Sequence, residues 1–493
     1  MLFYEIIDSH PAAAPALICQ DKMLTYGQMR EEVTLWAAHL QSCGVRQGDK
    51  VGLFSKNCSE FVLAYLAIIK AGGVVVPFNF QLAAPEVAYI VQDAGMKVMV
   101  TRQKLELEAA LRERGYGELK QLDFEELRQP AARSYEAVAM DENDNCTIIY
   151  TSGTTGQPKG AMLSHRNLLA NAAGFTQRVL MYPEDKTLCV LPMYHCFAWT
   201  VSVTGPLLHG GSIIIQENYT LAEALRLIQR YQITQFAGVP TMIQMFEKGA
   251  EPQQLASLRF FICGGASLPQ KLAKDFKKKF GKPVQEGYGL SEASPVCTVN
   301  PAAKIKVGSI GPQLPNVIVE IRDEGDRKVP DGTVGELCAR GDNVMLGYLN
   351  RPEETAVTLR GGWLHTGDLA YQDEEGYIFI VDRLKDMIIT GGENVYPREV
   401  EEALYHHPAV QENSVVGVPD KLRGQAVCAY VVLKEGQEAT KPQLRRFLME
   451  RLAGYKVPKY FFFCEQLPKN GTGKVLKTAL REKAIEDLVN RQN

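Results

Sequence analysis

Thr151-Ser152-Gly153-Thr154-Thr155-Gly156-Gln157-Pro158-Lys159-Gly160 is the stretch from which the fold of this chain can be read. It starts where Thr147-Ile148-Ile149-Tyr150 ends, a β-branched run that reads as a strand, and a helix-like run opens after it at Arg166. Its three glycines let a backbone approach closely and turn N–H groups toward an anion. Its four hydroxyls add donors and Lys159 adds a mobile positive charge, so the string suits a polyphosphate. It is not a Walker A loop, which needs GxxxxGK[ST]. The nearest approach, at Gly473-Lys474, has Pro468 in place of the first glycine and Val475 in place of the Ser/Thr.

Outward from this loop, apolar or β-branched runs alternate with helical ones. Val51 to Phe54, Val74 to Pro77, Val98 to Thr101, Cys146 to Thr151, Thr187 to Leu191, Ser212 to Gln216, Thr234 to Ala237 and Phe260 to Cys263 read as strands. Ser59 to Ala71, Leu221 to Tyr231 and Pro269 to Phe280 read as helices between them, which predicts α/β layers with largely parallel sheets. From about residue 308 short strands such as Val317 to Arg322, Gly335 to Ala339 and Tyr377 to Asp382 are divided by Gly, Asp and Pro turns, as in a mostly β subdomain. A new pattern follows: helix Pro397 to Tyr405, strands Ser414 to Val418 and Ala426 to Leu433, and helix Lys441 to Leu452. The change of texture puts a boundary at 383–386, dividing a large domain (1–383, with 308–383 its β part) from a small α+β one (384–493).

Composition excludes more than it selects. A 493-residue chain with 46% hydrophobic and 23% charged residues is large enough for several cores. A net charge of −3 gives no footing for nucleic acid or anionic membranes, which favour basic surfaces. Its eleven cysteines form no CxxC pair, and Cys189, Cys263, Cys338 and Cys428 lie in apolar runs, as buried reduced thiols do. The acidic N-terminal segment lacks a basic n-region, no apolar run reaches the ~18 residues of a spanning helix, and the last residues are no peroxisomal address. A cytoplasmic monomer or homodimer is the expectation.

The loop string resembles the adenylate-forming superfamily of acyl-CoA synthetases, firefly luciferases and peptide-synthetase adenylation domains. Four more segments occur in that family's order: Tyr288-Gly289-Leu290-Ser291-Glu292, Leu364-His365-Thr366-Gly367-Asp368, Asp382-Arg383-Leu384-Lys385-Asp386 and Pro468-Lys469-Asn470-Gly471-Thr472-Gly473-Lys474. The resemblance implies a large N-terminal domain, a small mobile C-terminal domain that turns about a hinge, ATP and coenzyme A as cosubstrates and magnesium as the metal cofactor. It further implies nucleotide contacts from Thr151, Ser152, Gly153, Thr154, Thr155, Gly156 and Lys159, from Gly264, Gly265 and Ala266, and from Glu286, Gly287, Tyr288, Gly289 and Ser291. Asp368 would hold the ribose, with Ile380 and Arg383 close by. Glu292, with Thr151, would bind magnesium, and Lys474 would bridge the substrate carboxylate and the phosphate. Asp382 or Lys385 would be the hinge, Gly391, Gly392, Glu393 and Asn394 the pantetheine tunnel, and Lys456 a partner of CoA phosphates.

The substrate acid is addressed by Leu191-Pro192-Met193-Tyr194-His195-Cys196-Phe197-Ala198-Trp199-Thr200. No acidic residue occurs from Leu191 to Ile215, so an amino acid's ammonium would be desolvated without a partner. By resemblance His195 lies beside the carboxylate, and Trp199 matches the indole gate of long-chain fatty acyl-CoA synthetases. Thr200, Val239, Thr241, Met242, Gly265 and Gly289 would add to the acyl wall. A medium- or long-chain fatty acid is expected, with an aryl acid of the coumarate or benzoate type as the alternative. A carrier-protein acceptor is disfavoured because Asp386 runs straight into Met387-Ile388-Ile389 without the insertion of fatty acyl-AMP ligases.

Overall fold

Helix Ser59–Lys70 sets the layering, because ten of its twelve residues are buried, on every side. Only a helix lying between two apolar layers has that pattern. One layer is an eight-stranded sheet in the order Val296–Val299, Val284–Gly289, Phe260–Cys263, Gln235–Gly238, Lys186–Cys189, Ser212–Ile215, Pro15–Cys19, Lys22–Thr25, parallel except at its two ends. The other is a seven-stranded sheet in the order Gly347–Tyr348, Lys159–Ser164, Asn145–Thr151, Val74–Pro77, Lys50–Phe54, Val98–Thr101, Lys120–Asp123. A single core cluster takes Leu17, Ile213 and Cys189 from the first sheet, Val51, Val75 and Ile149 from the second, and Phe61, Tyr65 and Ile68 from the helix between. The computed structural model describes residues 1–151, 157–469 and 474–490.

A four-stranded antiparallel meander, Val317–Arg322, Gly335–Gly341, Leu364–Gln372 and Ile378–Arg383, packs its apolar face on helix His165–Val179 and the end of the first sheet, through Phe175, Val296 and Leu364. A last sheet joins Glu393–Val395, Ile388–Thr390, Gly424–Leu433 and Val410–Asp420, with Tyr460–Phe463 parallel to Gly424–Leu433. Cys189, Cys263, Cys338 and Cys428 are all buried. No helix among the described residues is long and apolar enough to cross a membrane.

Two features depart from the pattern read in the sequence. The phosphate-type string does not lead from strand to helix, because its flanks, Asn145–Thr151 and Lys159–Ser164, pair antiparallel from Asn145↔Ser164 to Thr151↔Lys159. Only then does Ser164 cap helix His165–Val179, accepting from the Asn167 amide at 3.1 Å. The strand expected over Ser414 to Val418 runs from Val410 to Asp420, because Gly424–Leu433 pairs with it through Pro419 and Asp420 to the turn.

Candidate active site

Where the first sheet meets the meander, Asp368 is 7% exposed and sits among groups that orient it. The Tyr288 hydroxyl donates to its Oδ2 at 2.5 Å, and the Arg383 guanidinium lies 3.2 Å from Oδ1. Asp368 and Arg383 are register partners on Leu364–Gln372 and Ile378–Arg383, so sheet pairing brings the two side chains together. Burial, then the Asp368 charge, pushes the Tyr288 phenol well above its ordinary range, so it stays a donor. Two carboxylate oxygens, each keeping a second acceptor site, suit a vicinal diol.

Glu292 lies in the turn Ser291–Ala293 after strand Val284–Gly289. Its Oε1 accepts from the Tyr348 hydroxyl at 2.7 Å. The Tyr348 ring in turn lies under Lys159, whose Nζ is 5.5 Å from the centroid and pairs with Glu354. Strand Gly347–Tyr348 is the edge neighbour of Lys159–Ser164, so Thr151, Lys159, Tyr348 and Glu292 form one row across four elements. Ser152, Gly153, Thr154, Thr155 and Gly156 lie outside the described residues. Ser291 Oγ is 3.2 Å from Cys196 Sγ, which links this row to the segment expected to bind the acid.

His195 caps the short turn Cys196–Ala198, its Nδ1 accepting from the Phe197 amide at 3.2 Å. That bond makes Nδ1 the lone-pair nitrogen and leaves the proton on Nε2. Burial, reinforced by the Lys474 charge, pulls its pKa down to about 4, so the ring is neutral at pH 7. Helical backbone then widens into a π-helix, Trp199–Thr204, a local form frequent at functional sites. Trp199 is 3% exposed, its ring 3.8 Å from Tyr65 in a stack and 5.8 Å from Phe61 edge-on. Thr200 is buried and donates to the Ser294 carbonyl at 2.9 Å. Val239 is buried, Met242 half-buried and Gly265 exposed. A Cβ on Gly264 would meet the Phe197 ring at 3.0 Å, and one on Gly289 would meet the Pro295 carbonyl at 2.1 Å. Gly289 is therefore demanded by backbone packing, whichever acid binds.

Lys474 reaches the same cleft. It is largely enclosed, and burial, then the Arg383 charge, brings its pKa down to about 8, with Asp368 opposing and Lys385 and Asp386 also within its field. Asp382 is buried, its Oδ1 accepting from the Arg383 amide at 2.7 Å and its Oδ2 from the Arg398 amide at 2.8 Å. The Arg398 guanidinium donates to the Ile380 carbonyl at 2.9 Å, tying helix Pro397–Tyr405 to the meander. Glu286 is buried on strand Val284–Gly289. Its Oε1 accepts from the Leu268 amide at 3.1 Å, and burial, opposed by Arg398, pushes its pKa up to about 7.

Gly391 and Gly392, at φ +63° and +87°, close the hairpin of Ile388–Thr390 and Glu393–Val395. Paired positive φ values there require glycine. The hairpin's described hydrogen bonds run within its own sheet, to Arg423 for Gly391 and across the turn for Glu393 and Asn394. Lys456 pairs with Glu399 at 2.7 Å. The structure thus gathers Lys159, Glu292, Tyr288, Asp368, Arg383, Lys474 and His195 on one cleft, while the described hydrogen bonds of the Glu286 side chain and of the glycine hairpin go to Leu268 and to the hairpin's own sheet. Sequence reasoning missed Tyr348, Glu354 and Arg398, each of which meets its partner from a remote segment.

Comparison with known proteins agrees with this arrangement. The AMP-binding enzyme family model matches residues 3–349, and the model of that enzyme's C-terminal domain matches residues 399–474. A feruloyl-CoA synthase of an Amycolatopsis species is 39% identical over 93% of this chain and 94% of its own length. A long-chain-fatty-acid–CoA ligase of Bacillus subtilis is 37% identical over 94% of this chain and 91% of its own. The ATP-bound crystal structure of MatB from Rhodopseudomonas palustris is 31% identical and superposes with a TM-score of 0.93, covering 98% of this chain and 99% of that one. The apo form of the same protein, also 31% identical and covering 98% and 99%, superposes at 0.82. A sequence match across nearly the whole length, a shared fold and a cleft of this composition lead to one assignment: the chain belongs to the AMP-binding enzyme family, within the adenylate-forming superfamily.

Proposed function

We propose that this protein is an ATP-dependent acid–CoA ligase. A carboxylate attacks the α-phosphorus of ATP to give acyl-AMP and pyrophosphate, and the CoA thiol then displaces AMP to give the thioester. The observation that carries this reading is the meeting of Lys474 with Arg383, Asp368 and His195 in one cleft. Two anions must meet in the first step, so charge stabilisation and alignment dominate it. The closer likeness to the ATP-bound than to the apo MatB structure supports an arrangement poised for that step.

In this reading Asp368 accepts from the ribose hydroxyls, and Tyr288 and Arg383 hold its carboxylate. The neutral His195 donates from Nε2 to the acid's carboxylate, which needs orientation and no base. Thr151 and Glu292 offer oxygen donors, the set a hard divalent cation takes, and magnesium held there would neutralise phosphate charge. Residues 1–383 and 384–493 form the two bodies, turning about Asp382 or Lys385 so that the Gly391–Asn394 hairpin replaces Lys474 in the second step.

For the substrate we favour an aryl acid of the cinnamate class. If Trp199 is the gate to a long alkyl channel, it is shut, because the indole is stacked on Tyr65. The 39% identity to a feruloyl-CoA synthase points the same way. The second reading, a medium- or long-chain fatty acid, rests on the fatty-acid ligase relative and requires the indole to leave Tyr65. CoA-dependent AMP release across cinnamates, benzoates, straight-chain acids and amino acids tests both. Highest kcat/KM for cinnamates is expected, with Trp199→Ala gaining activity on long chains. Preference of the unaltered protein for long-chain acids would establish the second reading, and activity on amino acids alone would end both.

The lysine also sets a pH limit. Its ammonium form is the active one, and its pKa is lowered to about 8, so that form is lost as pH rises through 8. The kcat/KM for ATP, which reports the free enzyme, is expected to fall above about pH 8. The kcat profile should break at higher pH, because bound phosphate oxygens favour the ammonium. Lys474→Arg should flatten the alkaline limb in a stopped-flow adenylation assay, and an unchanged limb would show that another group titrates.

A further inference from the structure

Strands Gly335–Gly341 and Leu364–Gln372 pair antiparallel, yet their register breaks in the middle. Glu336 faces Leu369 and Cys338 faces His365, so Leu337 alone lies opposite Thr366, Gly367 and Asp368. Two extra residues are thus pushed out of the ladder, and Gly367 takes a φ of +70°. Bulges of this kind re-aim side chains beside active sites, and they cost the bulged residues their ladder partners.

Side chains supply what the ladder lost. Glu336 Oε1 accepts from the Gly367 amide at 2.9 Å. Thr366 Oγ1 donates to the Leu337 carbonyl at 2.7 Å and accepts from the Asp368 amide at 3.1 Å. The second oxygen of Glu336 meets His365 Nδ1 at 2.8 Å and Arg360 Nη2 at 3.2 Å. Arg360 is also paired with Asp326 at 3.2 Å. Glu336, Cys338 and His365 place metal-type donor atoms within 4.8 Å of one another, but the Arg360 guanidinium already supplies the positive charge a cation would bring.

We propose that Glu336 is a positioning residue for nucleotide binding: its carboxylate replaces the missing strand partner of Gly367 and so fixes the bulge that aims Asp368 at the ribose. The inference rests on the reading of Asp368 as the ribose acceptor. A charge-assisted bond to a backbone amide is strong, and Glu336 makes it while its other oxygen is tied down by Arg360.

The test compares kcat/KM for ATP and for 2′-deoxy-ATP in Glu336→Ala, Glu336→Gln and Asp368→Ala. The unaltered protein is expected to prefer ATP, and Asp368→Ala to lose that preference. Loss of one such bond predicts that Glu336→Ala loses about tenfold or more in kcat/KM for ATP. Its ATP-to-deoxy ratio should fall toward that of Asp368→Ala, while KM for the acid is unchanged. Glu336→Gln keeps the shape and sets an amide against Arg360, so it should give a smaller shift in the same direction, and it decides the matter if the alanine variant does not fold. An undiminished ratio in a folded Glu336 variant, with Asp368→Ala losing it, overturns the positioning role. An undiminished ratio in Asp368→Ala overturns the ribose reading and this inference with it.

Discussion

Replacing Lys474 with alanine is expected to slow acyl-adenylate formation roughly 10²–10³-fold, the effect of removing one preorganised charge-stabilising group. Lys474 shares a cleft with Arg383 and Asp368 and lowers the pKa of His195, so its charge acts where acid and phosphate would meet. Burial brings its pKa to about 8, so its desolvation has been met in folding and not left to the reaction. Thioesterification needs no such charge, since acyl-AMP already carries its leaving group. Pyrophosphate exchange should therefore collapse in Lys474→Ala, while chemically supplied acyl-AMP is still converted with CoA at near the original rate. Lys474→Arg should recover part of the first step only. Equal losses in both half-reactions would mean that Lys474 supports the fold of the cleft and does not act in adenylation.

What the sequence made legible follows from how each element is stabilised. Parallel strands buried on both faces, such as Val74–Pro77 and Phe260–Cys263, are runs of apolar residues, and their bounds agree with those read from sequence. Helix Leu221–Tyr231 agrees likewise, because Thr220 caps its start and its apolar face repeats every three to four residues. Strand Lys159–Ser164 was not legible. Gly-Ala-Met-Leu has little strand preference, and it is held by its two neighbours in the sheet. The π-helix Trp199–Thr204 leaves no trace, since an i→i+5 pattern has no compositional mark. Of the cleft, the motif residues could be named one by one. What holds them could not, because Tyr348 reaches Glu292 across 56 residues and Glu336 reaches Gly367 across 31. Such contacts depend on sheet register, which no local window contains.

The second large effect is expected at Glu292. Glu292→Gln preserves volume and one oxygen but removes the charge, so adenylation should fall on the order of 10²-fold at low magnesium and recover in part as magnesium is raised. The geometry separates this from a packing defect. Tyr348 holds one Glu292 oxygen at 2.7 Å and lies beneath Lys159, so a glutamine that can still accept that bond leaves the row of Lys159, Tyr348 and Glu292 standing. Tyr348→Phe, which removes the bond but keeps the ring and the charge, should cost far less, near the tenfold of one hydrogen bond to a charged group. Calorimetry provides a readout independent of turnover. Magnesium should tighten ATP binding to the unaltered protein and to Tyr348→Phe, and should fail to do so in Glu292→Gln. If magnesium tightens ATP equally in all three, the carboxylate at 292 is not the metal ligand, and its place in the cleft is to anchor Tyr348 against the lysine of the phosphate loop.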